Sequence, residues 1–278
     1  MDIDTIVKKV RVDGWCVIPQ VIPTNEVSLI CSDVAEEVEK ADQEHRAFVV
    51  EMEAKGHKVS GHGIGSASGL ISLLPVLHPY LTNENILGAA EAILGPFVRI
   101  STVSGLVNNP GVKRGYWHSD WPFNQTVAAK VPAPYPDVVM HLSSIFMLTE
   151  FSEKTGGTLI VPGSHRFPNN PSGSNGVDAM APYPSEMNST GKPGDVLFYD
   201  SRLWHAVPDN PSSIPRVAIS IRYAPWWLNL NAQKAGHPDH QMIVVDTNGK
   251  GNTNPILPAA IYDSLPNRAQ LLFQHWLS

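Results

Sequence analysis

The stretch PGDVLFYDSRLWHAVPDN, residues 193–210, indicates the fold, because an apolar run begins directly after Pro-Gly and ends in polar residues. β-prone segments of the same kind, bounded by Gly, Pro, Asn or Asp, recur at 97–107, 139–149, 157–161 and 216–224. Short apolar runs between turn residues are typical of strands. We therefore predict a mainly β chain with flanking helices, built on an antiparallel sandwich or barrel-like core.

The N-terminal quarter follows a different pattern, which predicts helix, strand and helix. A β-prone run covers 15–21, and the sequence PTN at 23–25 supplies helix-start chemistry. The helix that begins there should bury one apolar stripe, because apolar side chains recur at helical spacing. Those side chains are Val27, Ile30, Val34 and Val38. A second helix is predicted over about 83–94, ending at Gly95.

Three further segments have weaker patterns. The glycine-rich SGHGIGSASG at 60–69 follows a charged helical region rather than an apolar strand, so we interpret it as a flexible loop and not as a nucleotide-binding turn. Residues 166–193 are polar and broken by prolines, which is typical of a functional loop or of a disordered one. A last helix is predicted at 261–277, interrupted by Pro266.

Length and composition limit the domain organisation. The chain has 278 residues, of which 42% are hydrophobic and 17% charged, values that are ordinary for a globular protein. We predict a single domain over 1–278. Its parts are a helical N-terminal part at about 1–95, a β core at about 96–225 and a C-terminal extension at about 226–278.

Charge and cysteine content exclude several classes of protein. The net charge is −6 and no basic run occurs, so a nucleic-acid partner is not expected. No apolar stretch approaches the ~20 residues of a membrane span, and residues 1–14 lack a signal-peptide pattern. Two cysteines, Cys16 and Cys31, cannot form a disulfide framework or a zinc-thiolate site. We expect a cytoplasmic protein with a small-molecule substrate, and the oligomeric state stays open.

A possible metal site lies in RGYWHSDWPFNQ, residues 114–125, where one residue separates His118 from Asp120. On an extended segment, residues i and i+2 point to the same side, so an imidazole and a carboxylate can meet at one metal ion. A second histidine from a distant strand would complete the two-histidine, one-carboxylate set of non-haem Fe(II) oxygenases. The simpler alternative is a turn-capping aspartate beside a packed histidine.

Two downstream features favour the metal site. The apolar run of residues 196–200 leads into Trp204 and His205, and Arg216 follows eleven residues after that histidine. The planar guanidinium of an arginine suits the far carboxylate of a dicarboxylic acid, because it donates two parallel hydrogen bonds.

Together these segments resemble the phytanoyl-CoA dioxygenase family of Fe(II)/2-oxoglutarate-dependent oxygenases. The opening stretch GWCVIPQVIPTNEV at 14–27 is also similar, so the resemblance covers roughly 10–225. The matching motifs are His118-Ser119-Asp120, GGTLIVPGSHR at 156–166, PGDVLFYD at 193–200, His205 and Arg216.

The resemblance implies a double-stranded β-helix core, also called a jelly roll or cupin-like core. It implies iron held by His118, Asp120 and His205, with 2-oxoglutarate and O2 as co-substrates. The far carboxylate of 2-oxoglutarate would pair with Arg216, aided by the hydroxyl of Thr158. Phe146 is a candidate for packing beside 2-oxoglutarate.

The implied reaction oxidises a C–H bond of a small organic molecule, while 2-oxoglutarate gives succinate and CO2. Hydroxylation is the default outcome, and desaturation, ring closure or epoxidation would use the same residues. Residues that could wall the substrate cavity are Trp121, Trp117 and His62. The alternative is a cupin-like protein that binds a metal or ligand without redox turnover.

Several residues compete with these assignments. His165 could replace His205 as third ligand, although its turn resembles a structural turn of the family. The sequence HPDH at 237–240 holds a second H-x-D, and His141 fits a satisfied core or surface position. Relatives often carry glutamine where Gly115 stands, so Asn108 or Asn109 could contact the inner carboxylate of 2-oxoglutarate.

Overall fold

Two antiparallel sheets form the core of the protein. The computed structural model describes residues 1–54, 64–121, 133–171, 177–242 and 254–277. The larger sheet has the strand order β1-β7-β4-β9-β3-β2, and the smaller one has the order β6-β5-β8. The strands are β1 Trp15–Ile18, β2 Gly65–Ser68, β3 Arg99–Asn108, β4 Leu142–Met147, β5 Leu159–Ile160, β6 Met187–Asn188, β7 Val196–Asp200, β8 His205–Ala206 and β9 Arg216–Ala224. The antiparallel core predicted from the sequence, a double-stranded β-helix, is confirmed.

Helices cover one side of the larger sheet and its ends. The first four α-helices are α1 Ile3–Asp13, α2 Thr24–Ala54, the single turn α3 Leu70–Leu73, and α4 Glu84–Leu94. Short α-helices lie at Pro238–His240, Ala259–Ser264 and Asn267–Phe273, and 3-10 turns at Pro75–Thr82, Ser164–Arg166, Asn231–Gln233 and Gln274–Trp276. None of the helices in the described ranges is both long and apolar enough to cross a lipid bilayer.

Local capping explains where these helices begin and end. The carboxylate of Asp2 accepts a hydrogen bond from the backbone N–H of Thr5 at 2.9 Å, so it satisfies a free donor at the start of α1. Gly14 ends α1 with φ 88°, a left-handed conformation that favours glycine. Asn83 caps α4 through its side-chain oxygen. The predicted helix boundaries at 83–94 are therefore confirmed.

Helix α2 lies close against β3 through the predicted apolar stripe. Val27, Ile30, Val34 and Val38 are all buried in the main core. The closest approach falls at Gly105 of β3, where a Cβ atom would lie only 2.8 Å from Cγ2 of Val38. Glycine is required there because the helix takes the space that a side chain would occupy.

Alternation along β9 divides its side chains between two environments. Val217, Ile219, Ile221 and Tyr223 pack in the main core that the helices cover. Residues with the opposite parity, from Arg216 to Arg222, face the space between the sheets. The register pairs Asn108 with Arg216, Ser104 with Ser220 and Thr102 with Arg222.

The glycine-rich segment at 60–69 is only partly a loop. Residues 60–63 lie outside the described residues, but Gly65–Ser68 forms strand β2 and pairs with β3 from Gly65↔Val107 to Ser68↔Ser104. The interpretation of this segment as a flexible loop is therefore wrong for Gly65–Ser68. Glycine, serine and alanine have no marked strand propensity, so the sequence did not predict a strand here. Pairing with β3 supplies the backbone hydrogen bonds that order these residues. The 166–193 segment likewise contains a two-residue strand, β6.

The C-terminal extension packs on β3. The indole N–H of Trp276 donates to the carbonyl of Ile100 at 2.7 Å, and the Asn254 amide donates to the carbonyl of Ser101 at 2.6 Å. The helical run breaks around Leu265 and Pro266, as predicted. The single-domain organisation stays a prediction.

Candidate metal centre and co-substrate pocket

Two histidines are brought together by backbone pairing. His118 and His205 form an isolated antiparallel bridge, with N–O distances of 3.0 and 2.9 Å in the two directions. Their ring centroids lie 4.2 Å apart. The possible ligand atoms of His118, Asp120 and His205 all lie within 4.8 Å of one another. In the part of the chain that the structure describes, no other three such side chains converge in this way.

Both imidazoles have Nε2 available for a metal ion held by the cluster of His118, Asp120 and His205. Nδ1–H of His118 donates to the carbonyl of Tyr116 at 3.2 Å, and Nδ1–H of His205 donates to the carbonyl of Leu203 at 2.8 Å. These bonds fix the tautomer and leave Nε2 of each ring available for a metal ion. Burial, aided by His205, lowers the pKa of His118 to about 3, so its imidazole is neutral. A neutral imidazole is the form that binds metal.

The carboxylate of Asp120 is fixed by three donors. Arg222 Nη2 lies 2.6 Å from Oδ1, while the hydroxyls of Tyr199 and Ser143 donate to Oδ2 at 2.9 and 2.8 Å. Burial alone would raise the pKa of Asp120, but the charge of Arg222 and the neighbouring His205 hold it well below its ordinary value. The group is therefore an anion.

A chain of hydroxyls extends from this carboxylate into the core. The hydroxyl of Ser143 lies 2.7 Å from that of Ser201, which lies 2.7 Å from Nδ1 of His141. On its other side His141 meets the hydroxyl of Ser101 at 2.8 Å. His141 is thus a satisfied core residue, one of the two positions expected for it.

Arg216 lies in the wall of a cavity that the two histidines also line. Its side chain is buried, and its guanidinium carbon lies 4.6 Å from the ring centroid of Phe151. Nε and Nη1 have no hydrogen-bond partner among the described residues. Burial lowers the pKa of Arg216 to about 10, so it stays charged at neutral pH. A buried, unpaired cation is costly, and an anionic ligand would compensate it.

The cavity joins Arg216 to the two histidines. It has a volume of about 110 Å³, and its wall includes His118, His205, Thr158 and Arg216. These residues fit Fe(II) and 2-oxoglutarate, the metal and co-substrate that the resemblance implies: two imidazoles with Nε2 available and a carboxylate for Fe(II), and a free guanidinium for a dicarboxylate.

The structure corrects the expectation for Phe146. Its ring packs in the main core on the helix side of β4, and the neighbouring Ile145 lines the cavity instead. Successive side chains on a strand point to opposite faces, so a shift of one residue exchanges the two environments.

The aromatic residues near the H-x-D motif are mostly packing residues. Trp117 is fully buried in a cluster with Trp204, and its indole N–H donates to the carbonyl of Ala181 at 2.9 Å. Trp121 packs edge-on against Tyr135, with the ring centroids 5.4 Å apart. Neither tryptophan is among the described residues that line the cavity of Arg216 and the two histidines, and their place beside the substrate stays a prediction. His62 lies outside the described residues.

The competing histidines are placed elsewhere. Nε2 of His165 faces the carbonyl of Arg11 at 3.3 Å, in the turn after β5. In the HPDH sequence, His237 and Asp239 are 3.8 Å apart and partly exposed, and no third ligand from the described residues joins them. Asn109 is exposed, whereas Asn108 is buried with its Oδ1 unpaired among the described residues.

Sequence reasoning did not find the groups that fix Asp120. Tyr199 lies in the apolar run before His205, and Ser143 lies in a β-prone segment, so neither stands out without a partner in space. The position of Arg222 could have been predicted from the sequence. It lies six residues after Arg216 on the same strand, so both side chains point to the same face and into the same cavity.

This jelly-roll core, with a two-histidine, one-carboxylate cluster beside a buried arginine, defines a non-haem Fe(II)/2-oxoglutarate-dependent oxygenase. The family model for phytanoyl-CoA dioxygenase (PhyH) matches residues 10–218. The chain belongs to the phytanoyl-CoA dioxygenase family.

Individual proteins are similar to this chain at lower identity. Dioxygenase af480 of Aspergillus fumigatus is 30% identical over 155 residues, which cover 54% of this chain and 46% of that protein. The chain thus spans about half the length of this relative. Ectoine dioxygenase of Bordetella parapertussis is 26% identical over 253 residues, covering 82% and 78% of the two chains. Among solved structures, the non-haem α-ketoglutarate-dependent carbocyclase SnoK from nogalamycin biosynthesis has the same fold, with TM-score 0.58, 21% identity and coverage of 81% and 86%.

Proposed function

We propose that this protein oxidises a C–H bond of a small organic metabolite, with hydroxylation as the default outcome, and converts 2-oxoglutarate to succinate and CO2. One observation carries the proposal: a buried arginine with unpaired donors lines the same cavity as the two histidines of the cluster. A metal-binding protein without turnover would have no use for such a cation, so the cupin-like alternative is not favoured.

His118, Asp120 and His205 would hold the iron. The bound metal, with 2-oxoglutarate, supplies the activation of O2. The protein orients both imidazoles through their Nδ1–H donors, and it keeps Asp120 ionised through Arg222. Because these groups are set before any ligand arrives, little reorganisation is needed on binding.

Arg216 would clamp the far carboxylate of 2-oxoglutarate. The aromatic face of Phe151 supports the guanidinium from one side, and Thr158 offers a hydroxyl in the same cavity. The clamp orients the co-substrate because a planar guanidinium binds a carboxylate through two parallel hydrogen bonds.

The test measures succinate release. Protein loaded with Fe(II) without oxygen is given 2-oxoglutarate, then O2, and succinate is measured with and without small metabolites. We expect iron-dependent succinate release from the wild type and none from Asp120→Ala. Ser32→Ala, on the exposed side of α2, is the matched control. Succinate release by Asp120→Ala at the wild-type rate would refute the proposal.

A further inference from the structure

A second cavity adjoins the co-substrate cavity and is lined mostly by polar side chains. Its volume is about 210 Å³, and it shares Ile64, Leu106, Ser220 and Arg222 with the smaller cavity. At roughly 30 Å³ per water molecule, it has room for about seven waters, which is the size of a small metabolite. We call it the polar cavity. Its hydroxyl-bearing wall consists of Ser66, Ser68, Thr102, Ser104 and Ser220.

Strand register explains why these hydroxyls share one wall. Ser68 of β2 pairs with Ser104 of β3, and Ser104 pairs with Ser220 of β9, so three serines form a row across three strands. The next row along β3 and β9 pairs Thr102 with Arg222. The opposite face of β3 and β9 is apolar and packs against α2.

Part of this wall has no hydrogen-bond partner among the described residues. The hydroxyls of Ser66, Ser68 and Ser220 make no hydrogen bond there; Ser66 and Ser68 are exposed, and Ser220 is buried. The hydroxyls of Thr102 and Ser104 lie 3.2 Å apart. The hydroxyl of Thr102 donates to Asn254 at 3.0 Å, and Asn254 also contacts Gln233. Polar groups that face a cavity without protein partners favour a ligand that carries its own donors and acceptors.

Resting on the proposed function, we infer that the polar cavity binds the substrate and that this substrate is a small, oxygen-rich metabolite held by hydrogen bonds. An acyl chain would cover the hydroxyls of this wall without offering them hydrogen bonds, which is unfavourable. The guanidinium of Arg222 lines this cavity and would donate to an oxygen of the substrate. Its contact with Asp120 places that oxygen next to the metal cluster.

The experiment compares probes that share a carbon skeleton and differ in oxygen content. Quinate is paired with cyclohexanecarboxylate, myo-inositol with cyclohexanol, and octanoyl-coenzyme A stands for acyl substrates. Each is added without oxygen to protein that holds Fe(II) and 2-oxoglutarate. Binding is followed by the change in the metal-to-2-oxoglutarate absorption band.

We expect the oxygen-rich member of at least one pair to bind about tenfold more tightly than its partner, which corresponds to about 1.4 kcal/mol. Thr102→Val and Ser104→Ala, which line the polar cavity alone, should each weaken that binding by about 2- to 10-fold. Neither variant should change the affinity for 2-oxoglutarate, and Ser32→Ala should change nothing.

Two results would overturn the inference: binding of octanoyl-coenzyme A or the deoxygenated probes at least as tightly as the oxygen-rich ones, or no binding of any oxygen-rich probe. In both cases the absorption band would still form with 2-oxoglutarate, so the proposed function would stand. If the band itself does not form in the wild type, the proposed function fails first.

Discussion

Two arginines of one strand serve the site differently, although both face the same cavity. Arg222 meets a carboxylate of the protein, whereas Arg216, six residues earlier, is buried with two unpaired nitrogens among the described residues. The two arginines therefore differ in their surroundings, because only Arg222 lies within hydrogen-bond distance of Asp120. Arg216 would be available for a carboxylate that comes from outside the protein, as proposed for 2-oxoglutarate.

The ligand set can be tested by metal content. His118→Ala, Asp120→Ala and His205→Ala should each lose bound Fe(II) while the fold survives, because each removes one of three protein ligands. His165→Ala is the control, since its ring faces a backbone carbonyl in a turn. Metal analysis of the purified variants decides the matter. Full iron content in His205→Ala, with loss in His165→Ala, would reassign the third ligand.

The arginine clamp can be tested separately from the metal. Leaving one charge of a desolvated pair unpaired costs about 2–5 kcal/mol, so Arg216→Ala should weaken 2-oxoglutarate binding by roughly 30-fold or more. Arg216→Lys should be intermediate, because an ammonium keeps the charge and loses the planar fork. Iron content should barely change. Anaerobic titration of 2-oxoglutarate measures this, and an unchanged affinity in Arg216→Ala would move the clamp elsewhere.

At the scale of elements, helix α2 packs against β3, the strand that carries part of the polar cavity wall. Helix α2 covers the apolar face of the strand whose other face carries Thr102 and Ser104. Gly105 of β3 has no side chain on the face toward α2, so the helix can approach the strand closely. A change at this contact therefore acts on the cavity wall through one strand.

Gly105→Ala should destabilise the fold by about 1–3 kcal/mol, because its Cβ would lie 2.8 Å from Val38 and 3.1 Å from Val34. Urea unfolding followed by circular dichroism measures the change. Adding Val38→Ala should recover part of the loss, since it removes the nearer methyl group. Strictly additive effects of the two changes would show that the close approach is not the cause.

At the scale of the whole molecule, the site joins distant parts of the chain. The H-x-D segment follows β3, the second histidine begins β8, and the arginines come from β9. Antiparallel pairing brings them together, so ligands that bridge these elements should stabilise the folded state as a unit.

Fe(II) and 2-oxoglutarate together should raise the unfolding temperature. A ligand at 100 times its dissociation constant stabilises the folded state by about 2.7 kcal/mol, which corresponds to roughly 5 °C or more for a chain of this size. Removal of the metal with a chelator should reverse the shift. Arg216→Ala should keep the metal contribution and lose most of that from 2-oxoglutarate. An identical 2-oxoglutarate shift in this variant would contradict the clamp.

Local chemistry in the sequence determined the element types, the helix caps and the H-x-D motif, because turn residues and apolar periodicity act over a few neighbours. The strand-forming segments and the boundaries of α4 were predicted on that basis and are confirmed. The family followed from the order and spacing of several motifs, and it is confirmed by the match over residues 10–218.

Tertiary structure decided which face of each strand meets the site. Phe146 and Ile145 are adjacent in sequence, and only packing determines which of them lines the cavity. The donors to Asp120 come from Tyr199, Ser143 and Arg222, up to 102 positions away, so no local pattern could reveal them. Strand β2 and the polar cavity also depend on pairing between segments. Side-chain alternation can be read from one strand, but the register between strands and the face that meets the site are set by neighbouring strands in space, and no local pattern contains them.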